Sequence, residues 1–330
     1  VDDAVSEPAL LLDRRIRSVL DAAELRETGV ALDDLAELLP PDAPGTSEAL
    51  SEWLRDRPEV ATIIENRVYR SREAAAVDRS EDRRRRSERY VAAAEGLIRS
   101  TFAEARPLFL SVSVTGSTAY GGTEEGEDCD LLVVARRGAI WAMLTYAYLR
   151  LRFLSGSARR DPPPVWCLNY VLDDAAARED FGAPRGFLFA REALSARPVH
   201  GESYYRELLG EAPWMGTEAP RLYARWGPFA PATDPPAPAP VAVRLLNALL
   251  FPPVAAYLQV VGLYRNALYR REGRAEERFR TITLPARLEI HSEKFSRMLD
   301  LYRGASVTPP EAGARPHGSF GEGSGPTWRA

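Results

Sequence analysis

A glycine and a serine, ten residues, and then two aspartates flanking a cysteine are the residues of this chain best suited to act together. Gly116-Ser117 follows the β-rich apolar run 108–115, and Asp128-Cys129-Asp130 leads into a second apolar run, 131–135. Strand side chains alternate between faces, so Asp128 and Asp130, two positions apart, point the same way. Two carboxylates on one side suit Mg²⁺, a hard ion that takes oxygen ligands and completes its shell with substrate phosphates. A glycine lets backbone N–H groups approach a phosphate closely, and a serine hydroxyl adds a donor without bulk. The chain has 43 basic residues and Lys294 is the sole lysine, so no lysine is expected near this chemistry and phosphate contacts fall to arginine, backbone or hydroxyl groups.

The strand, Gly-Ser turn, ten-residue loop and Asp-x-Asp strand resemble the nucleotidyltransferase superfamily that includes DNA polymerase beta. The resemblance covers about 30 residues and rests on Gly116, Ser117, Asp128 and Asp130. It implies two Mg²⁺ ions, with Mn²⁺ as a substitute, held by Asp128 and Asp130. Gly116 and Ser117 would hold the triphosphate of an NTP, whose nucleoside monophosphate passes to an acceptor with release of pyrophosphate. The acceptor class stays open between a small molecule, a protein side chain, RNA and a second nucleotide. The family usually adds a third carboxylate on a neighbouring strand. The next strand-like run, 165–172, has Asn169 at its middle and Asp173 just past its end, on the same face by parity. An amide can ligate a metal but cannot act as a base, so Asn169 and Asp173 divide the reading between an enzyme and a catalytically silent nucleotide-binding or regulatory module.

Other residues offer less. Glu124, Glu125 and Glu127 precede Asp128 and read as a solvated loop, while His200, His291 and His317 have no ligand-like neighbours in sequence. Trp214, Tyr223 and Trp226 could stack on a base, but such spacing reads first as core aromatics. Arg79, Arg83, Arg84, Arg85, Arg86 and Arg89 interleave with Glu81, Asp82 and Glu88, the pattern of a solvated helix face from which one arginine could reach a triphosphate.

These residues sit in a chain of 330 residues, 45% hydrophobic and 27% charged, with a net charge of −4: a globular composition of two or three domains. Residues 1–70 hold 16 acidic residues against 8 arginines. Three helical patterns and two short strand runs make this block winged-helix-like, a pattern that suggests either a DNA-binding transcription regulator or a packing or dimerisation module. The third helix carries Glu48, Glu52 and Asp56, which repel phosphate and argue against DNA. An arginine-rich connecting helix is expected over 71–106, the nucleotidyltransferase-like domain over 107–230, a helical C-terminal domain over 241–303 and a disordered tail over 304–330. The fold class expected is α+β, a mixed sheet with helices. Residues 245–264 carry no formal charge, but Pro252-Pro253 predicts a buried helix pair broken there rather than a membrane span. Two cysteines and an acidic N-terminal sequence without a secretory pattern point to a cytoplasmic setting.

Overall fold

The computed structural model describes residues 7–76, 78–154, 165–229 and 234–307. The chain is α+β. Its first part has helix α1 (Glu7–Glu24), β1 (Val30–Ala31), α2 (Leu32–Glu37), α3 (Ser47–Arg55), β2 (Thr62–Ile64) and β3 (Arg67–Tyr69), with the strands in the antiparallel order β1-β3-β2. Thr46 caps α3 by accepting the Ala49 N–H at 3.2 Å. The expected continuous helix over 71–106 is instead broken into α4 (Arg72–Ala76), α5 (Ser80–Gly96), one π-helical turn and one 3₁₀ turn.

The central sheet has six strands in the order β7-β4-β5-β6-β9-β8. Its members are β4 (Phe109–Val114), β5 (Cys129–Ala135), β6 (Trp166–Asp173), β7 (Arg197–His200), β8 (Phe279–Leu284) and β9 (Arg287–Ser292), and only β5 and β6 run parallel. Between them lie α6 (Gly116–Ala119), α7 (Ile140–Leu154), α8 (Asp174–Gly182) and α9 (Gly186–Ser195). Then come α10 (Glu202–Gly210), α11 (Trp214–Glu218), α12 (Pro220–Ala224), α13 (Val241–Arg271) and, after the β8–β9 hairpin, α14 (Glu293–Tyr302).

Two expectations for the C-terminal region change. The region 241–303 is not all helix: β8 and β9 complete the central sheet by pairing β9 with β6. Nor do residues 245–264 form a buried helix pair broken at Pro252-Pro253: α13 runs unbroken through both prolines for 31 residues, and much of it is exposed. Residues 308–330, most of the expected disordered tail, and His317 with them, lie outside the described residues.

The sheet separates two apolar cores. Leu131 and Val133 of β5 and Val171 of β6 pack beneath α7 and α13. Leu132, Val134 and Leu172 face the opposite side, where α8, α9 and α10 pack, and that core continues into Ile16, Leu35 and Leu50 of the N-terminal helices. Arg15, fully buried, fastens the two parts: its guanidinium meets Glu218 Oε2 at 3.0 Å and donates to Ala305 O at 2.9 Å. Burial lowers its pKa to about 10, partly offset by Glu218.

Candidate functional site

β4 delivers the chain to Gly116, whose φ of +63° lies in the left-handed region that favours glycine. A Cβ there would also come within 2.7 Å of Asp130 Oδ2. The backbone is tied at this point, as Thr115 N–H donates to Asp130 O at 3.0 Å. The turn and the second aspartate are therefore in direct contact.

Neither donor of the turn is free. Gly116 N–H donates to Glu192 Oε2 at 3.0 Å, and Ser117 Oγ donates to Glu127 Oε2 at 3.0 Å. Glu127, read from sequence as a solvated loop residue, is instead the loop's anchor. It accepts from Arg26 at 3.1 Å, from Lys294 at 3.2 Å and from the Glu124 N–H at 2.9 Å. Burial opposes its charge, but Arg26, the Glu124 N–H, Lys294 and Ser117 outweigh it and hold the carboxyl below its ordinary range. The sole lysine thus stands beside the site, contrary to expectation.

Arg83 and Arg86 of the arginine-rich helix reach Glu124 at 3.4 Å and Thr123 O at 3.0 Å. They hold the loop that precedes Asp128. Arg84 and Arg85 pair with Glu81 and Asp82 on the exposed side of the same helix.

Asp128 is exposed and Asp130 half-buried. Burial, then Glu127, raises the pKa of Asp128, and Arg265 of α13 offsets part of the rise. Asp130 is pushed up to about 7 by burial and by Glu127, Glu192 and Asp128, with a hydrogen bond to Cys167 acting the other way. Glu192, from α9, is raised by burial against the pull of Arg191, the Gly116 N–H and Arg26. It was not foreseen; the only signal for it is one carboxylate among the apolar residues of α9.

Asn169 and Asp173, which the sequence could not separate, part company in the structure. Asn169 Nδ2 donates to Asp130 Oδ1 at 2.8 Å, while its own Oδ1 is buried and has no hydrogen-bond partner among the described residues. Asp173 does not share this face. The β5–β6 register shifts between the pairs Asp130–Cys167 and Leu132–Tyr170, which inserts one extra residue in β6. Asn169 and Tyr170 therefore both face the site side, and residues beyond them change faces: Val171 packs in the core beneath α7. Asp173 lies four residues past Asn169, about 13 Å along a strand. There it caps α8 by accepting the Ala176 N–H at 3.1 Å.

His291 is not isolated, since its Nε2 lies 2.7 Å from Glu289 Oε2. His200 lies in β7 opposite Val112, and burial lowers its pKa. Trp214 and Tyr223 pack with the apolar core, and Trp226 packs against Tyr205.

Among the described residues, no three His, Cys, Asp or Glu side chains converge as a ready metal cluster. Asp130 and the buried Asn169 Oδ1, which has no partner among the described residues, offer an incomplete oxygen set, and the exposed Asp128 stands just before β5. Such a set fits a divalent cation that takes its remaining ligands from substrate and water. No known family's profile, no curated protein and no solved structure matches the chain.

Proposed function

We propose that the chain is a Mg²⁺-dependent nucleotidyltransferase, moving a nucleoside monophosphate from an NTP to an acceptor and releasing pyrophosphate. The observation that carries this reading is the state of Asp130. Its carboxyl is pushed up to about 7 by burial and three neighbouring acids, beside an amide oxygen that is buried and has no partner among the described residues. Among the described residues no arginine or lysine hydrogen-bonds to it. Functional sites are where such uncompensated groups are retained. Asp128, Asp130 and Asn169 Oδ1 would hold the cation, and Mn²⁺ meets the same oxygen ligands. A bound cation supplies neutralisation of phosphate charge.

The chain's own residues would do the rest. In the transfer, the acceptor atom bonds to the α-phosphorus as the bond from that phosphorus to the bridging oxygen of the β-phosphate breaks. Pyrophosphate leaves with the electron pair, and the acceptor's proton passes to a carboxylate. Glu192 is suited to receive it, as burial already raises its proton affinity and it stands at the Gly116 N–H. Gly116 keeps the space beside Asp130 open, and Gly116 N–H and Ser117 Oγ are the donors a phosphate would take over from Glu192 and Glu127.

One observation favours a second reading, a catalytically silent nucleotide-binding or regulatory module. Both phosphate donors are already held by carboxylates, and the β6 position facing Asp130 is an amide. Incubation with α-labelled NTPs, Mg²⁺ or Mn²⁺ and a cell extract as the source of acceptor separates the two. An enzyme releases pyrophosphate and labels an acceptor, and Asp130→Ala abolishes both. Calorimetric NTP binding without either product assigns the silent module, and no NTP binding at all rejects both readings.

A further inference from the structure

The two sides of α13 differ in what they touch. The inner side is fastened along its length by three polar residues. Asn247 Oδ1 accepts the Trp141 N–H of α7 at 2.7 Å; Gln259 Nε2 donates to Thr281 O at 3.1 Å and Asn266 Nδ2 to Phe279 O at 2.7 Å, both on β8. The outer side is apolar and open. Leu245, Leu249, Tyr257, Val260, Leu263 and Tyr264 are between 50 and 73% exposed, and Tyr148 of α7 extends the face through an edge-on ring contact with Tyr257. Soluble monomers rarely leave so long an apolar strip bare.

Charge indicates what covers it. No Asp or Glu occurs from Val241 to Arg271, and residues 245–264 carry no charge at all. Arg244 closes the strip at one end, with Arg265, Arg270 and Arg271 at the other. The acids just beyond, Glu272, Glu276 and Glu277, are each paired with Arg274 or Arg297. A second copy docked through this face by a two-fold axis would set arginine against arginine. Antiparallel helices bring Arg244 towards Arg265, parallel helices bring each towards itself, and α13 supplies no carboxylate in either case. An anionic lipid surface supplies both requirements: apolar depth for the strip and headgroup charge for its ends. Exposed tyrosines suit the same boundary.

The helix is long and apolar enough to cross a bilayer by length and composition. Its inner hydrogen bonds to α7 and β8 instead hold it along the domain, an orientation that suits the plane of a membrane and not a span across it. Pro252 and Pro253, both exposed, supply no N–H to the carbonyls of Ala248 and Leu249. Those carbonyls find water at headgroup level but not in the hydrocarbon core.

We propose that the outer face of α13 docks the protein in-plane on an anionic membrane surface, independently of the nucleotidyl-transfer reading. The test is cosedimentation of the full chain with vesicles of phosphatidylcholine alone and of phosphatidylcholine mixed with phosphatidylserine. The chain is expected to bind the mixed vesicles about tenfold more tightly than the neutral ones. Leu249→Glu with Leu263→Glu should weaken binding to mixed vesicles by about tenfold or more. Arg244→Gln with Arg270→Gln and Arg271→Gln should remove the preference for phosphatidylserine. All five positions are exposed, and unchanged circular dichroism shows that the variants fold. Wild type that stays in the supernatant with both vesicle types overturns the proposal, as does equal binding to both. A dimer in sedimentation velocity that Leu249→Glu/Leu263→Glu dissociates, with no vesicle binding, assigns the face to a second copy and overturns it as well.

Discussion

Two groups of carboxylates lie on the same face of the sheet, on either side of the bulge in β6, and the fold treats them in opposite ways. In the first, Arg287 bridges Asp180 at 2.8 Å and Glu289 at 2.7 Å. Tyr170 and Arg185 also hydrogen-bond Asp180, and His291 meets Glu289 at 2.7 Å. Burial opposes the charge of Glu289, yet His291 and Arg287 bring its carboxyl down to about 2. Asp180 stays raised, because burial outweighs the pull of Arg185, Tyr170 and Arg287.

In the second group, Asp130 has an amide, a thiol and three more carboxylates around it, and it is pushed up to about 7. A buried acid surrounded by cationic and hydroxyl donors is part of the framework. One left among other acids weakens the framework, and its retention points to a task.

The contrast can be broken from either side. The largest effect is expected from Asp130→Ala, which should lower any NTP- and metal-dependent turnover by about 10³-fold or more. Unchanged pyrophosphate release would remove Asp130 from the chemistry. Next, Glu289→Gln should cost about 3–5 kcal/mol in denaturant unfolding, because Arg287 is left buried with one partner fewer. A cost below about 1 kcal/mol would show that the first cluster is not structural.

The pH dependence separates the clusters by sign. The folded-state pKa of Glu289 is depressed from 4.5 to about 2, so its contribution of about 3 kcal/mol is present above pH 4.5 and is lost as pH falls through 2. Asp130 is raised from 3.8 to about 7, so the native state holds its proton more tightly than the unfolded chain. Its charge therefore destabilises the fold increasingly as pH rises from about 4 through 7. Asp130→Asn should accordingly raise stability by about 2 kcal/mol at pH 8 and by little at pH 4. Thermal melts at the two pH values check this, and an equal shift at both would mean that Asp130 is not crowded.

The smallest effect is expected at Asp173. Its replacement by Ala removes a helix cap, at about 1 kcal/mol, and should leave turnover within about twofold of wild type. A large loss of activity would return Asp173 to the site and put the bulge in question.

Much of this molecule was legible in its sequence because it is local. The run before Gly116 and the run from Asp130 onward form adjacent antiparallel strands, and the short connection between them makes their contact nearly unavoidable. α1 and α3 follow from apolar spacing and, for α3, from a capping threonine. Parity within 165–173 related Asn169 only to Asp173; Asn169 meets Asp130 because it precedes the point where the β6 register changes.

Asp173 failed the same argument for a physical reason: one inserted residue moves every later side chain to the opposite face, and nothing in 165–173 announces the insertion. Pro252-Pro253 misled in another way. Each proline removes one helical hydrogen bond, but packing against α7 and β8, with Asn247, Gln259 and Asn266 tying the helix down, carries α13 through both.

By itself, then, the sequence determined that the glycine-serine turn and the strand carrying Asp130 lie side by side, since antiparallel strands joined by a short loop act within about 25 residues. Tertiary structure alone decided the company they keep. Glu192 arrives from α9 and Lys294 from α14, at separations in sequence where no periodicity relates one residue to another. Their convergence depends on how helices pack across a completed sheet, whose last two strands come from the far end of the chain.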